Sequence, residues 1–340
     1  MIHHPDVHVP WQQWSEEQTL HLVSVYSNPF RSRVRRLLFN DFIRQIRVTS
    51  NVQLYIVELA YGDRPHEIVG QPLPAAESFR PVVEIPLRTS HELWHKENLI
   101  NIGVMRIPPS AKYGGYSDGD FHYTRHDWAL EAIHLLQHFD FVQLFSTYED
   151  LSADHVPLSY KSTFARNYTL NRRSASPYRG AKRGLDFGSP GGGWAWKMPS
   201  FDKVGGMLES CILGSGDWHM AVGLTGEADT HVEYRLASES YLQAIRQWQT
   251  KAKSIEANIG VVKQHAIHHF HGSKSNRQYS TRPQILGRHS FNPFEDIKKD
   301  RQGVWQLTGN KPKLRDDIRK YFISRSEDDP SLYGADKHLL

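Results

Sequence analysis

The sequence predicts an α/β fold, a mostly parallel sheet with helices on both faces. Two observations carry this expectation: short apolar runs of strand character, and stretches of helical periodicity that alternate with them along the chain. Leu22-Val23-Ser24-Val25-Tyr26 reads as the first strand, closed by the turn signal Asn28-Pro29. Val34, Leu37, Leu38, Phe42 and Ile46 follow at helical spacing. Residues 54–59 read as a second strand and residues 82–87 as a third. Residues 92–102 read as a helix closed by Gly103, and residues 127–138 as another. Residues 141–145 form a buried strand in this reading, and helix signals resume over residues 240–257. No internal repeat is visible.

With 340 residues and 39% hydrophobic content, the chain can bury a substantial core. The expected layout is a catalytic domain over residues 1–275, with halves at about 20–150 and 151–275, and an extension over 276–340 wrapping it. No apolar run approaches the roughly 20 residues of a membrane helix. The start, Met1-Ile-His-His-Pro, lacks the features of a signal peptide. Cys211 is the single cysteine, so an intrachain disulfide is excluded. These points lead to the expectation of a cytoplasmic protein that does not engage a membrane. The net charge of +4 suits a polyanionic partner without requiring one.

Three stretches carry chemistry. The first is Asp118-Gly119-Asp120, after Lys112-Tyr113-Gly114-Gly115-Tyr116-Ser117. Two carboxylates two residues apart in an extended segment lie on one side and could share Mg or Mn against a diphosphate; a solvated turn is the plain alternative. The second is His265-Ala266-Ile267-His268-His269-Phe270-His271-Gly272-Ser273-Lys274, continuing to Arg277. One imidazole could ligate a metal, while Lys274 or Arg277 could neutralise a phosphate. A surface histidine cluster or a structural zinc site are the alternatives, although no cysteine accompanies the histidines. The third runs from Gly192-Gly193-Trp194-Ala195-Trp196 through Val204-Gly205-Gly206 to Gly214-Ser215-Gly216-Asp217-Trp218. It reads as a sugar-binding wall of Gly192, Gly193, Trp194, Trp196 and Trp218, with Asp217 placed to deprotonate an acceptor hydroxyl. Core packing of the two Trp194 and Trp196 rings is its alternative.

In their order, these stretches resemble the GT-A glycosyltransferases, including family-two-like members from bacteriophages and bacteria, over about residues 20–280. The resemblance implies a GT-A, Rossmann-like domain and a nucleotide-sugar donor such as a UDP-sugar. It assigns Asp118 and Asp120 to the metal-binding D-x-D and Gly205, Gly206 and Asp217 to the acceptor segment. The late metal ligand falls among His268, His269 and His271; we take His271 because a glycine follows it. The helix Lys96-Glu97-Asn98-Leu99 matches the one that precedes the D-x-D, which puts Lys96 and Asn98 with the donor. The segment before the acidic pair departs from the family pattern, because Gly114, Gly115 and Ser117 interrupt what is usually an apolar strand.

On this reading Asp118, Asp120 and His271 hold Mn or Mg, and Lys274 and Arg277 assist at the diphosphate. Ser24, Tyr26 and Glu58 meet the nucleoside at the C-terminal ends of the early strands. Residues 161–183 carry seven Lys or Arg and no acid, with Phe164, Tyr168 and Tyr178 interspersed. They read as a mobile loop closing over donor or acceptor. Its cationic, aromatic make-up leads to DNA as acceptor partner, specifically a 5-hydroxymethylpyrimidine in phage DNA. A bacterial surface or capsular glycan is the rival acceptor. A non-catalytic nucleic-acid-binding protein using Arg31-Ser32-Arg33-Val34-Arg35-Arg36, and a nucleotidyltransferase, are the rivals from other classes.

Overall fold

In strand β1 (Leu20–Ser27) side chains alternate between two apolar layers: Leu20, Leu22 and Tyr26 enter one and Val23 the other. A strand buried on both faces belongs at the centre of a parallel sheet, and β1 is central. The computed structural model describes residues 15–72, 81–171, 187–231, 238–279 and 281–333.

The elements that follow are α1 (Arg33–Val48), β2 (Val52–Tyr61), β3 (Val83–Thr89), α2 (Lys96–Val104), β4 (Tyr113–Ser117) and β5 (Phe121–Tyr123). Next come α3 (Trp128–Leu136), β6 (Phe141–Gln143), β7 (Thr147–Leu151), β8 (Pro157–Ser162) and α4 (Phe164–Asn171). Then follow β9 (Gly193–Lys197), α5 (Met198–Val204), α6 (Gly216–Leu224), α7 (Ala228–His231), α8 (Glu239–Ala252), β10 (Ile259–Val261) and β11 (His265–His268). The last are α9 (Pro283–Arg288), β12 (Ile297–Lys299), β13 (Trp305–Leu307) and α10 (Pro312–Ser324).

The main sheet has seven strands in the order β10-β6-β9-β4-β1-β2-β3, with β9 antiparallel to both its neighbours and the other pairings parallel. The expected mostly parallel sheet flanked by helices is therefore present. The chain runs outward from β1 to β3, then returns to place β4 on the other side of β1. That reversal opens a crevice at the C-terminal ends of β1 and β4, where open α/β sheets take their ligands. A second sheet, β5-β11-β7-β8, stands beside this crevice.

Glycines did not always mean what their sequence context suggested. Gly103 was expected to close α2, but the helix continues through it to Val104. A Cβ at Gly103 would stand 2.6 Å from Val23 Cγ1 and 2.9 Å from Val57 Cγ2, so glycine lets α2 lie close against β1 and β2. Gly114 and Gly115 do not interrupt β4 either. A Cβ at Gly115 would come within 2.8 Å of the Trp194 carbonyl, so this glycine admits β9 beside β4.

The expected loop over 161–183 is corrected in its first part: residues 161–162 end β8 and residues 164–171 form α4. Phe164 is fully buried and Tyr168 is 8% exposed, because both face the core from α4. Residues 172–186, including Tyr178 and most of the basic charge, lie outside the described residues. Among the described residues no helix is long and apolar enough to cross a membrane.

Helix propensity alone favours Ala over Gly by about 1 kcal/mol, whereas forcing a methyl into a packed interface costs about 1–3 kcal/mol. Gly103→Ala should therefore lower stability, read as a lower denaturation midpoint. A raised midpoint would show that Gly103 does not serve close packing.

Candidate metal centre and donor cavity

Strand register brings Asp120 to the histidines. β11 pairs with β5 so that His268 lies opposite Phe121, and with β7 so that His268 lies beside Asp150. The backbone N–H of His269 donates to the Asp120 carbonyl (2.9 Å). Gly272, with φ +92°, then turns the chain so that His271 faces the same carboxylate. His271 Nε2 lies 2.8 Å from Asp120 Oδ2, and His268 Nε2 lies 3.7 Å from it. One ligand atom from each of Asp120, His268 and His271 lies within 4.8 Å of the others.

Two details suit this cluster to a cation. Asp120 Oδ1 is buried without a hydrogen-bond partner. The His268 and His271 Nε2 atoms face each other at 3.3 Å, an approach in which at most one carries the bridging proton. Around the cluster, Asp150 Oδ1 lies 2.8 Å from His268 Nδ1 and so aims Nε2 at Asp120. Asp150 is itself held by Lys274 (2.6 Å), Lys161 (2.9 Å) and Ser159 (2.7 Å). One oxygen and two nitrogens form a set that fits Mn better than Mg.

The electrostatics follow from this packing. Burial penalises the Asp120 carboxylate, but His271 and His268 outweigh that and hold it well below the usual range. Burial also opposes charge on His268, yet its bonds to Asp120 and Asp150 carry its pKa upward. Burial, with Arg277 nearby, lowers that of His271. Burial raises Asp118 against the pull of Lys96.

Asp118 points elsewhere than expected. Its backbone N–H donates to the Gly192 carbonyl (2.7 Å), and its carboxylate pairs with Lys96 (2.7 Å). Asp118 and Asp120 thus share one cavity wall, but Asp120 alone joins the histidines. The cavity, about 500 Å³, lies at the β1–β4 crevice and is lined by Val25, Ser27, Arg35, Lys96, both aspartates and His271, with residues 322–329 closing one side.

Ser24, Tyr26 and Glu58, expected at a nucleoside, all point away from this cavity. Ser24 donates to the Ser117 carbonyl (2.9 Å), tying β1 to β4. The Tyr26 hydroxyl bonds Glu67 on the opposite layer. Glu58 accepts the backbone N–H groups of Glu67, Ile68 and Val69, bracing a turn. None of the three lines the cavity; strand alternation gives it Val25 and Ser27 instead. Asn98 sits about 200° around α2 from Lys96. It binds Glu209 (3.0 Å), the Gly303 carbonyl (3.0 Å) and the Trp305 amide (3.1 Å), away from the cavity. Lys274 is engaged with Asp150. Arg277 is buried behind the centre, bonding Tyr279 (3.1 Å).

The expected sugar wall is mainly core. Trp196 is fully buried and stacks on Phe201 at 4.3 Å, and Trp194 donates to the Pro190 carbonyl (2.8 Å). Trp218 packs on Phe187 at 4.0 Å. Gly192 and Gly193 leave room for Phe145 and Tyr123. Asp217, at the start of α6, accepts the Trp218 N–H (2.8 Å) and sits beside Gly191. It does not line the main cavity.

Sequence reasoning missed several residues. Glu97, packed against Gly216 and bonded by Trp94 (3.0 Å), is pushed up to about 7 by burial. Arg35 was noticed only within a basic run, yet it turns into the cavity. Arg325, Glu327 and Asp328 carried no motif.

No protein-family model matches this sequence, and no curated protein does. Among solved structures, the chain is similar to 4-diphosphocytidyl-2C-methyl-D-erythritol synthase from Anaerococcus prevotii, at 9% identity and a TM-score of 0.34 over 73% of this chain and 88% of that one. It is also similar to the catalytic domain of Drosophila β1,4-galactosyltransferase 7, crystallised with xylobiose, at 10% identity and a TM-score of 0.34 over 87% and 97% of the two chains. Mouse xyloside xylosyltransferase 1 matches at 10% identity and a TM-score of 0.31 over 74% and 97%. Likenesses this loose carry no ligand or activity across, so the functional reading rests on this chain's own residues.

Removing a carboxylate that orients a metal-bound imidazole typically weakens metal binding by about 10–100-fold. Mn titration by calorimetry should show that loss for Asp150→Asn, and at least as large a loss for both His268→Ala and His271→Ala. Because His268 must shed a proton held above its ordinary pKa, affinity should fall as pH drops through neutrality. Wild-type affinity in His268→Ala would remove it from the centre.

Proposed function

We propose that the protein is a metal-dependent glycosyltransferase acting on a nucleotide-sugar donor. The observation that carries this reading is the joining of a metal-ligand cluster to a cavity at the β1–β4 crevice whose walls include Arg35, Lys96 and Arg325. Asp120, His268 and His271 would hold the ion, preferentially Mn. Bound there, it would supply Lewis-acid stabilisation of charge on a leaving nucleoside diphosphate. Lys96, paired with Asp118 at the cavity wall, is the side chain best placed to meet a phosphate. One carboxylate with two histidines also serves non-haem iron. The neighbouring Lys96, Arg35 and Arg325 favour an anionic substrate over that use.

For the acceptor we keep Asp217 as the candidate base, with the buried Glu97 as a second carboxyl near Lys96. The hydroxymethylpyrimidine reading has lost part of its basis. Phe164 and Tyr168 are core residues, and Lys161 is paired with Asp150, so neither aromatic is free to stack on bases. The remaining cationic stretch is all that favours DNA over a glycan.

With Mn and a panel of nucleotide sugars, wild-type protein should release nucleoside diphosphate, and Asp120→Asn should lose about 100-fold or more of that rate. Asp217→Asn should lower the transfer rate to an acceptor while leaving donor affinity within about threefold, as for a group acting in the transition state. Duplexes with and without 5-hydroxymethylpyrimidines, and glycan acceptors, separate the two acceptor classes. Full turnover in excess chelator would end the metal-dependent reading.

A further inference from the structure

The chain's own C-terminal segment places two carboxylates where anion-binding groups converge. Asp328 accepts from Ser32 Oγ (2.8 Å) and from the backbone N–H groups of Arg33 (2.6 Å) and Val34 (3.2 Å), the first amides of the 16-residue helix α1. Such amides, with the helix dipole behind them, favour an anion. Glu327 is gripped by Arg35 through two contacts (2.6 and 3.1 Å) and by Arg325 (2.6 Å). Arg325 is 7% exposed, lines the cavity, and has an Nε without a partner. It therefore retains donor capacity that Glu327 does not use.

The cavity's charge balance is at odds with an anionic ligand as long as this segment stays in place. Its lining holds three fixed cations, Arg35, Lys96 and Arg325, against five carboxylates. With residues 326–329 withdrawn the tally becomes three against two, and Arg35 and the α1 amides are released. Ser326 holds a left-handed φ of +42°, a conformation that a residue with a side chain adopts at a cost. Gly272 leaves room beside Glu327: a Cβ there would stand 3.2 Å from Glu327 Cα, a tight approach.

We propose that residues 326–329 are an internal strap, with Glu327 and Asp328 occupying a diphosphate site formed by Ser32, the first α1 amides, Arg35 and Arg325, and that the strap leaves when a diphosphate binds. The natural ligand rests on the donor reading above; the site itself does not. Apparent affinity scales with the fraction of molecules in the competent state, so a strap closed nine times in ten lowers it about tenfold.

The test uses inorganic pyrophosphate with full-length protein in chelator, so neither sugar nor metal takes part. Calorimetry should show Asp328→Ala binding pyrophosphate about tenfold tighter than wild type, and Arg35→Gln added to it should cancel the gain. A melting curve confirms that each variant is folded. In wild-type protein, hydrogen exchange should quicken over residues 326–333 when pyrophosphate is added, while the α1 amides stay protected; this readout needs no variant. Unchanged or weaker binding by folded Asp328→Ala, or unchanged exchange at saturating pyrophosphate, overturns the strap. A strap that opens to pyrophosphate in a protein without glycosyl transfer would instead sink the donor reading alone.

Discussion

Asp120 receives two imidazoles at a point where three parts of the chain meet. The end of β4 delivers the carboxylate, the register of β11 against β5 and β7 delivers His268, and the turn at Gly272 delivers His271. A buried carboxylate oxygen without a partner is costly in a protein interior, and the two imidazole nitrogens beside it share a single hydrogen bond. A cation would engage all three atoms at once. Asp150 keeps one ring aimed, and it is held in turn by two lysines and a serine, so the arrangement extends well beyond its ligands.

The rest of the cavity is organised around that point by opposing charges. Lys96 offsets Asp118 on one wall, and Arg35 and Arg325 offset Glu327 on another. The region after residue 276 is thus more than a cover for the domain. It contributes Arg325 and three carboxylates to the cavity, and its β12–β13 connection supplies the Gly303 carbonyl that anchors Asn98 behind α2. Binding chemistry and closure come from residues about 200 positions after the D-x-D, which ties occupancy of the cavity to the order of the C-terminal segment.

Much of the frame was legible because it depends on local pattern. The strands around Val23, Val57 and Ile85 and the helix from Val34 to Ile46 appear where apolar periodicity placed them. The acidic pair and the late histidines were also legible as chemistry without geometry. The fine assignments depended on information that periodicity lacks. A one-residue change of phase sends Ser24 and Tyr26 to the layer opposite Val25 and Ser27. Trp194 and Trp196 look like a binding wall beside glycines, but Gly192 and Gly193 make room for Phe145 and Tyr123 in the core. His268 was passed over for His271 because pairing of β11 with β7, which sets it against Asp150, is a long-range fact. Glu327 and Asp328 gave no local signal; their role comes from contacts almost 300 residues away in the chain.

Asp120, His268 and His271 are arranged to hold a divalent cation. Electron spin-echo spectroscopy of the Mn-loaded protein tests this most directly, because it reads nitrogen nuclei bonded to the metal. Couplings from two imidazole nitrogens are expected, with one lost in His268→Ala and the other in His271→Ala. A Mn signal with oxygen ligands alone, unchanged in both variants, would contradict this.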